Sequence, residues 1–188
     1  MMSRILDVFE ISPIVAAVKD DEGLQKACRS ECNVIFILYG TIIDIAKTVD
    51  EVIHAGKLPI VHIDLISGLT NKEIAVDFIK ENTNASGIIS TKPALIKRAG
   101  EKELIGIQRS FIIDSIALSN LKKQIEQYRP DAIEIMPGII PGIINEIKNE
   151  TNIPVIAGGL LRNKKDILAA LEAGADAVST TSPALWDI

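Results

Sequence analysis

Glycines and hydroxyl residues close the last two strand-like runs of this chain, and together they have the chemistry of an anion cradle. Ile153-Pro-Val-Ile-Ala-Gly-Gly159 is a short apolar run ending in Gly158 and Gly159, and Asp176-Ala-Val-Ser-Thr-Thr-Ser182 is a second run ending in Ser179 and Thr180. Between them, Asn163 and Gly174 punctuate a helix as N-cap and C-terminal stop. Glycine lets backbone N–H groups approach an anion closely, and the positive end of a short helix, here one opening at Pro183, adds to the attraction. Two adjacent parallel strands with such ends are what the last two units of a (β/α)8 barrel use to hold a phosphate. A pair of tight turns without a ligand has the same composition, so the remaining strand ends must decide.

Those ends are polar in nearly every unit: Lys19-Asp20, Tyr39-Gly40, His62 and Asp64, Ser90-Thr91-Lys92, Gln108-Arg109 and Glu134. Charge inside an apolar barrel is costly unless it is paired or solvated at a site. Glu134 lies between Ile133 and Ile135 and points to the opposite face from both. Either ligand hydroxyls or a buried basic partner would account for it. Arg109 and Lys92 are candidate partners, or themselves meet an anion. Lys19 and Asp64 join Glu134 as candidate polyol contacts. Lys19-Asp20 reads equally as the cap of the next helix, and Asp64 as a brace of the Ser67-Gly68 turn. His62 shares the parity of Asp64 and reads as a structural histidine facing the barrel interior. The pattern suits a small phosphorylated polyol, with its phosphate on Gly158, Gly159, Ser179 and Thr180 and its hydroxyls toward Glu134. A Schiff base on Lys92, or acid–base work by Asp64 and Glu134, would make such a chain an enzyme. The residues compel neither, and no cofactor or metal is implied.

Eight strand-like runs must position these groups: Pro13–Val18, Val34–Leu38, Pro59–Asp64, Gly87–Ile89, Leu104–Gln108, Ala132–Met136, Pro154–Ala157 and Ala175–Ser179. Helical periodicity separates most of them. Thr41 is expected to cap a helix carrying Ile42, Ile45, Val49, Val52 and Ile53, with Gly56 as its stop. Thr70 and Glu73 have the spacing of a capping box before Ile74, Phe78 and Ile79. Asp114 or Ser115 opens another helix, and Pro93 and Pro141 suit first helical turns. Eight alternating units predict one compact (β/α)8 TIM barrel over residues 1–188, with an N-terminal arm or partial helix over about residues 1–12. At 188 residues the loops must be lean, since such barrels typically take about 250. The apolar content of 47%, with only 4% aromatics, fits buried Ile, Leu, Val and Ala strands. No run is long enough to span a membrane and none reads as a secretory signal, so a cytoplasmic protein is expected. No Gly-x-Gly-x-x-Gly or Walker sequence marks a nucleotide site. Cys28 and Cys32 read as core or surface thiols, and a net charge of −5 argues against broad nonspecific nucleic-acid binding.

Several segments carry a more specific resemblance: Ser12-Pro-Ile-Val-Ala-Ala-Val-Lys19, His62-Ile-Asp-Leu-Ile-Ser-Gly-Leu69, Gly87-Ile-Ile-Ser-Thr-Lys92, Gln108-Arg-Ser-Phe-Ile-Ile-Asp-Ser115, Pro130-Asp-Ala-Ile-Glu-Ile-Met-Pro-Gly138, Ala157-Gly-Gly159, and Ser179-Thr-Thr with Trp186. In collinear order they resemble the bacterial glycerol uptake operon antiterminator regulatory proteins. The resemblance implies a non-enzymatic regulator that binds glycerol 3-phosphate as effector and acts on the leader mRNA of the glycerol operon, letting transcription pass a terminator. The chain is also similar to glycerol-phosphate prenyltransferase barrels. That likeness implies glycerol-hydroxyl contact at Glu134 and phosphate contact at Gly159 and the Ser179-Thr180 turn, but nothing reads as a long prenyl cavity. The RNA surface is not assigned: no strand shows a stacking-aromatic signature, and no KH-type loop or zinc knuckle is present. Basic groups at Lys92, Lys97, Arg98 and Lys102, at Lys122, Lys123 and Arg129, and at Arg162, Lys164 and Lys165 all read equally as solvated helix faces. An acidic RNA binder must confine its positive potential to one patch, on one chain or shared across a homo-oligomer. The alternatives are a barrel enzyme on a small phosphorylated polyol (isomerase, aldolase or glycerol-phosphate transferase) and an inert interaction scaffold.

Overall fold

The computed structural model describes the chain from Arg4 to Ile188; residues 1–3 of the expected N-terminal arm lie outside the described residues. The strands are β1 Ile14–Val18, β2 Val34–Ile37, β3 Leu58–His62, β4 Gly87–Ser90, β5 Ile105–Phe111, β6 Ala132–Met136, β7 Val155–Gly158 and β8 Ala177–Thr180. They form a closed parallel barrel in sequence order, completed by β1 pairing with β8 through Ile14↔Val178 and Ala16↔Thr180. The helices are α1 Arg4–Ile11, α2 Asp21–Arg29, α3 Ile45–His54, α4 Ile74–Asn82, α5 Pro93–Glu101, α6 Ser115–Tyr128, α7 Pro141–Glu150 and α8 Lys164–Glu172.

Period-two alternation sorts each strand into two faces. One face supplies Val15, Val34, Phe36, Ile60, Ile89, Ile107, Ala132, Ile156 and Ala177 to the barrel interior, and α1 adds Ile5 and Phe9 to the same cluster. The N-terminal arm is therefore a helix that closes the floor of the barrel. The other face, including Ala16, Ile35, Val61, Ile88, Ile133 and Val178, packs against helix residues such as Leu24, Val49, Val76, Leu95, Leu121, Ile144 and Ile167. No helix among the described residues is long and apolar enough to cross a membrane.

Capping sets several helix starts. Asp20 accepts from Gly23 N at 2.7 Å, Asp114 from Ala117 N at 2.7 Å, and Asn163 from Asp166 N at 3.0 Å. Pro93 and Pro141 occupy first helical positions as expected. Two caps differ from the sequence expectation. Helix α3 begins at Ile45, because Asp44 turns back to accept from Thr41 N at 2.6 Å and makes Thr41–Asp44 a turn. Helix α4 begins at Ile74 with no side-chain cap, so Thr70 and Glu73 form no capping box. After β8 a 3-10 turn at Pro183–Leu185 replaces an eighth outer helix. Trp186 Nε1 donates to Thr180 O at 2.9 Å and Cys32 Sγ to Trp186 O at 3.3 Å, which ties the C-terminus to the barrel wall. Both cysteines are free thiols, Cys32 buried and Cys28 half-buried, and burial pushes both thiols up from the usual value.

Candidate functional site

The strand register places Arg109 of β5 beside Glu134 of β6, and both share the parity of the interior cluster. Glu134 is completely buried. Arg109 Nε donates to its Oε2, and Ser179 Oγ of β8 donates to its Oε1 at 2.5 Å. The buried basic partner expected as one of two explanations for Glu134 is thus Arg109. Each carboxylate oxygen still has a second lone pair. A carboxylate and a guanidinium taken out of water together are stable only as a pair: removing one partner of such a pair typically costs about 3–5 kcal/mol.

Gly158 of β7 lies over this carboxylate. A Cβ there would stand 2.6 Å from Glu134 Oε1 and 2.7 Å from Ser179 Oγ, so only glycine fits. Gly159 follows with φ +74°, and Leu160 is also left-handed at φ +61°. This conformation ends the strand abruptly and turns the chain across the barrel mouth. Gly159, Leu160 and Leu161 from the β7 end, with Ser179, Thr180 and Thr181 from the β8 end, line a cavity of about 210 Å³, completed by Ala17, Leu38, Arg109 and Met136. Its walls set three hydroxyls and one guanidinium among the apolar side chains of Leu38, Met136, Leu160 and Leu161. Of the sequence-predicted residues, the fold brings Gly159, Ser179, Thr180 and Arg109 to this cavity, with Glu134 and Gly158 directly in contact through Ser179 and Arg109.

Lys19, Asp64 and Lys92 do not line it. Lys19 is exposed next to Asp20, which caps α2. Strand β3 ends at His62, and a 3-10 turn at Ile63–Leu65 swings Asp64 toward β4. There Asp64 Oδ1 accepts from Ser90 Oγ at 2.7 Å and Lys92 Nζ at 3.2 Å, and Oδ2 accepts from Thr91 N at 2.8 Å and Thr91 Oγ1 at 3.0 Å. The Ser67–Gly68 turn is held instead by Ser67 N donating to Gly40 O at 3.0 Å. Burial would raise the Asp64 carboxyl, but the Thr91, Ser90 and Lys92 donors outweigh it and hold it below the ordinary value. His62 faces inward as expected, 3% exposed, with Nδ1 lacking a protein partner among the described residues. Burial, aided by the Arg109 charge and opposed by Asp64, pushes its imidazole down to about 4, so it is neutral at pH 7.

A second cavity of about 240 Å³ opens where β5 meets α6, lined by Gln108, Arg109, Ser110 and Phe111 on the strand side and by Ala117, Asn120, Leu121 and Gln124 on the helix, with Thr91 beside them. Arg109 belongs to the walls of both cavities at the barrel mouth. Phe111 is 54% exposed at the strand end, and no other aromatic of the described residues is as open. Local sequence pattern ends the run at Gln108 and so leaves Phe111 out. The signal available was the continuation Arg109-Ser110-Phe111, which pairs with Glu134, Ile135 and Met136. A further cavity of about 590 Å³ lies at the opposite end among Val8, Leu58, Lys80, Glu103 and Asp131, where the strands begin. Function in such barrels belongs to the other end.

Residues 14–186 match the family described as glycerol-3-phosphate responsive antiterminator. The chain is 41% identical over 184 residues to the uncharacterized protein YgcP of Escherichia coli strain K12, covering 98% of this chain and 96% of that one. The solved structure of the glycerol uptake operon antiterminator regulatory protein from Listeria monocytogenes str. 4b F2365 is 32% identical with a TM-score of 0.90, over 93% of this chain and 95% of that chain. A glycerol uptake operon antiterminator-related protein from Thermotoga maritima MSB8 is 29% identical with a TM-score of 0.83, over 94% and 98%.

Proposed function

Because the chain belongs to the glycerol-3-phosphate responsive antiterminator family, we propose that it is a cytoplasmic regulator that holds glycerol 3-phosphate at the mouth of its barrel and, so loaded, binds the leader mRNA of a glycerol operon. The observation that carries this reading is the cavity between the ends of β7 and β8. It is about 210 Å³, large enough for a small phosphorylated polyol and too small for a prenyl chain beside it. The left-handed turn at Gly159 and Leu160 bends the backbone around the cavity, and the Thr180 and Thr181 hydroxyls supply donors, the Ser179 hydroxyl being held by Glu134. Arg109 brings the cation that a phosphate dianion pairs with most readily. The spare lone pairs of Glu134 accept from glycerol hydroxyls. No cofactor enters this account.

Calorimetric titration tests the effector half of the proposal. Glycerol 3-phosphate should bind saturably and emerge unchanged, whereas glycerol, which lacks the anion, should not bind. Leader-RNA affinity should then rise when glycerol 3-phosphate is present, and affinity indifferent to the effector would refute gating. One observation favours a second reading, an isomerase, aldolase or glycerol-phosphate transferase: the Asp64–Lys92 pair stands at the same barrel end. Against it, the Lys92 Nζ is committed to Asp64 at 3.2 Å and neither residue lines the cavity. Product formed from glycerol 3-phosphate, and lost in Glu134→Gln, would establish the enzyme instead.

A further inference from the structure

We infer that the cleft between the end of β5 and α6 is where the RNA is read, and that it takes one unpaired nucleobase stacked on Phe111. The inference rests on the RNA-binding reading above and gives it a place. Single-stranded RNA is recognised by aromatic faces that stack splayed-out bases and by groups that bond the base edges. Both kinds of group meet here. Phe111 presents an open ring at the rim of the barrel mouth. Asn120 and Gln124 bring to the same cavity two carboxamides able to donate and to accept, Gln108 adds a third, and Ser110 adds a hydroxyl. Gln108 Nε2 already donates to Thr91 O at 3.2 Å and Arg109 O at 3.1 Å, which fixes the amide and leaves Oε1 as its acceptor. No carboxylate lines the cavity, in a chain whose net charge is −5.

Helix α6 extends this surface in the right chemistry. Asn120, Lys123, Gln124 and Gln127 follow one another at helical spacing, so they form one polar stripe along the cleft. Lys123 is exposed within that stripe and suits a backbone phosphate, whereas Lys122 is committed to Glu146 and Glu150 at 2.8 Å each. The other basic groups offer no comparable aromatic: Lys97 and Arg98 pair with Glu101 and Asp77, and Arg162, Lys164 and Lys165 stand at the start of α8. A volume of about 240 Å³ admits one base and excludes a duplex, so the RNA must present an unpaired nucleotide.

The test uses the full-length protein with saturating glycerol 3-phosphate and a labelled glycerol-operon leader transcript, followed by fluorescence anisotropy over a series of salt concentrations. Phe111→Leu should weaken binding by roughly 5- to 150-fold, the range for one lost base–aromatic stack. It should leave the salt slope unchanged, because a stack releases no counterions. Phe111→Trp should restore binding, and Lys123→Gln should lower the salt slope by about 1. Phe111 is exposed, so glycerol 3-phosphate affinity should be unchanged in both Phe111 variants. Wild-type affinity retained in Phe111→Leu would overturn this inference and leave RNA binding intact. So would sedimentation showing that Phe111→Leu dissolves an oligomer while RNA affinity persists, which would assign the ring to a second copy of the chain. Failure of the unmodified protein to bind any leader RNA, with effector bound, would overturn the RNA reading and this inference together.

Discussion

Gly158 and Glu134 contend for one volume: the space a Cβ would need on β7 is already filled by the carboxylate of β6. Gly158→Ala should therefore force the Glu134 side chain out of line with Arg109 and Ser179. The expected cost is about 1–3 kcal/mol from overpacking, measured as a lower urea midpoint with unchanged slope. Gly142→Ala in α7 is the control, because nothing lies within 4 Å of the added methyl. It should stabilise by about 0.4–1 kcal/mol.

Glu134→Gln should cost about 3–5 kcal/mol, because the Arg109 guanidinium would stay buried without a counter-charge. Replacing both partners with apolar residues, as in Arg109→Met with Glu134→Leu, should recover much of that loss. Chemical denaturation of Arg109→Met, Glu134→Leu and the double variant completes the cycle, and additive losses would show that the pair is not coupled.

His62 and Asp64 predict an acid-sensitive fold with two overlapping stages. The His62 imidazole has a folded value of about 4 against an ordinary 6.5, so the unfolded chain binds the extra proton first. Stability contributed by neutral His62 is complete above pH 6.5 and is lost as pH falls toward 4, by up to about 3 kcal/mol. Asp64 is also depressed below its ordinary 3.8, so its share is present above that value and disappears only as pH drops further, through the folded value. Denaturation midpoints across pH 3–8 should show the upper stage vanish in His62→Leu and the lower one shrink in Asp64→Asn.

Gly159→Asp should abolish calorimetric binding of glycerol 3-phosphate, because it adds a carboxylate at the wall of the anion cavity and demands a left-handed φ of +74° from a non-glycine residue. Gly159→Ala separates the two effects. Its backbone strain costs on the order of 1–2 kcal/mol of stability, but without the added charge some affinity should remain. Full affinity in Gly159→Asp would place the anion elsewhere.

The barrel was readable because buried parallel strands leave apolar runs at regular intervals, and β6 occupies the residues its pattern predicts. Errors gathered where tertiary partners override local pattern. Strand β5 was expected to stop at Gln108, since Arg109-Ser110-Phe111 looks like a loop until the register with Glu134, Ile135 and Met136 is known. Parity puts Asp64 on the face of His62, but period-two alternation expires where the strand does, and the 3-10 turn sends Asp64 sideways to β4. Thr41 and Thr70 carry capping chemistry in sequence, yet α3 opens after Asp44, with Thr41 drawn into a bridge with Ser67, and α4 opens after Glu73 with no side-chain cap. The cradle glycines were legible as a type of position. That Gly158 serves the carboxylate while Gly159 borders the cavity required three dimensions.

One guanidinium forms part of the partition between two chambers. Its Nε is held on Glu134, so both sides face the remaining N–H groups of a single fixed cation. Thermodynamic linkage then makes the two occupants mutual creditors: if the small anion tightens the grip on a nucleic acid by some factor, a captured nucleic acid must slow the anion's escape, or hasten its capture, by that same factor.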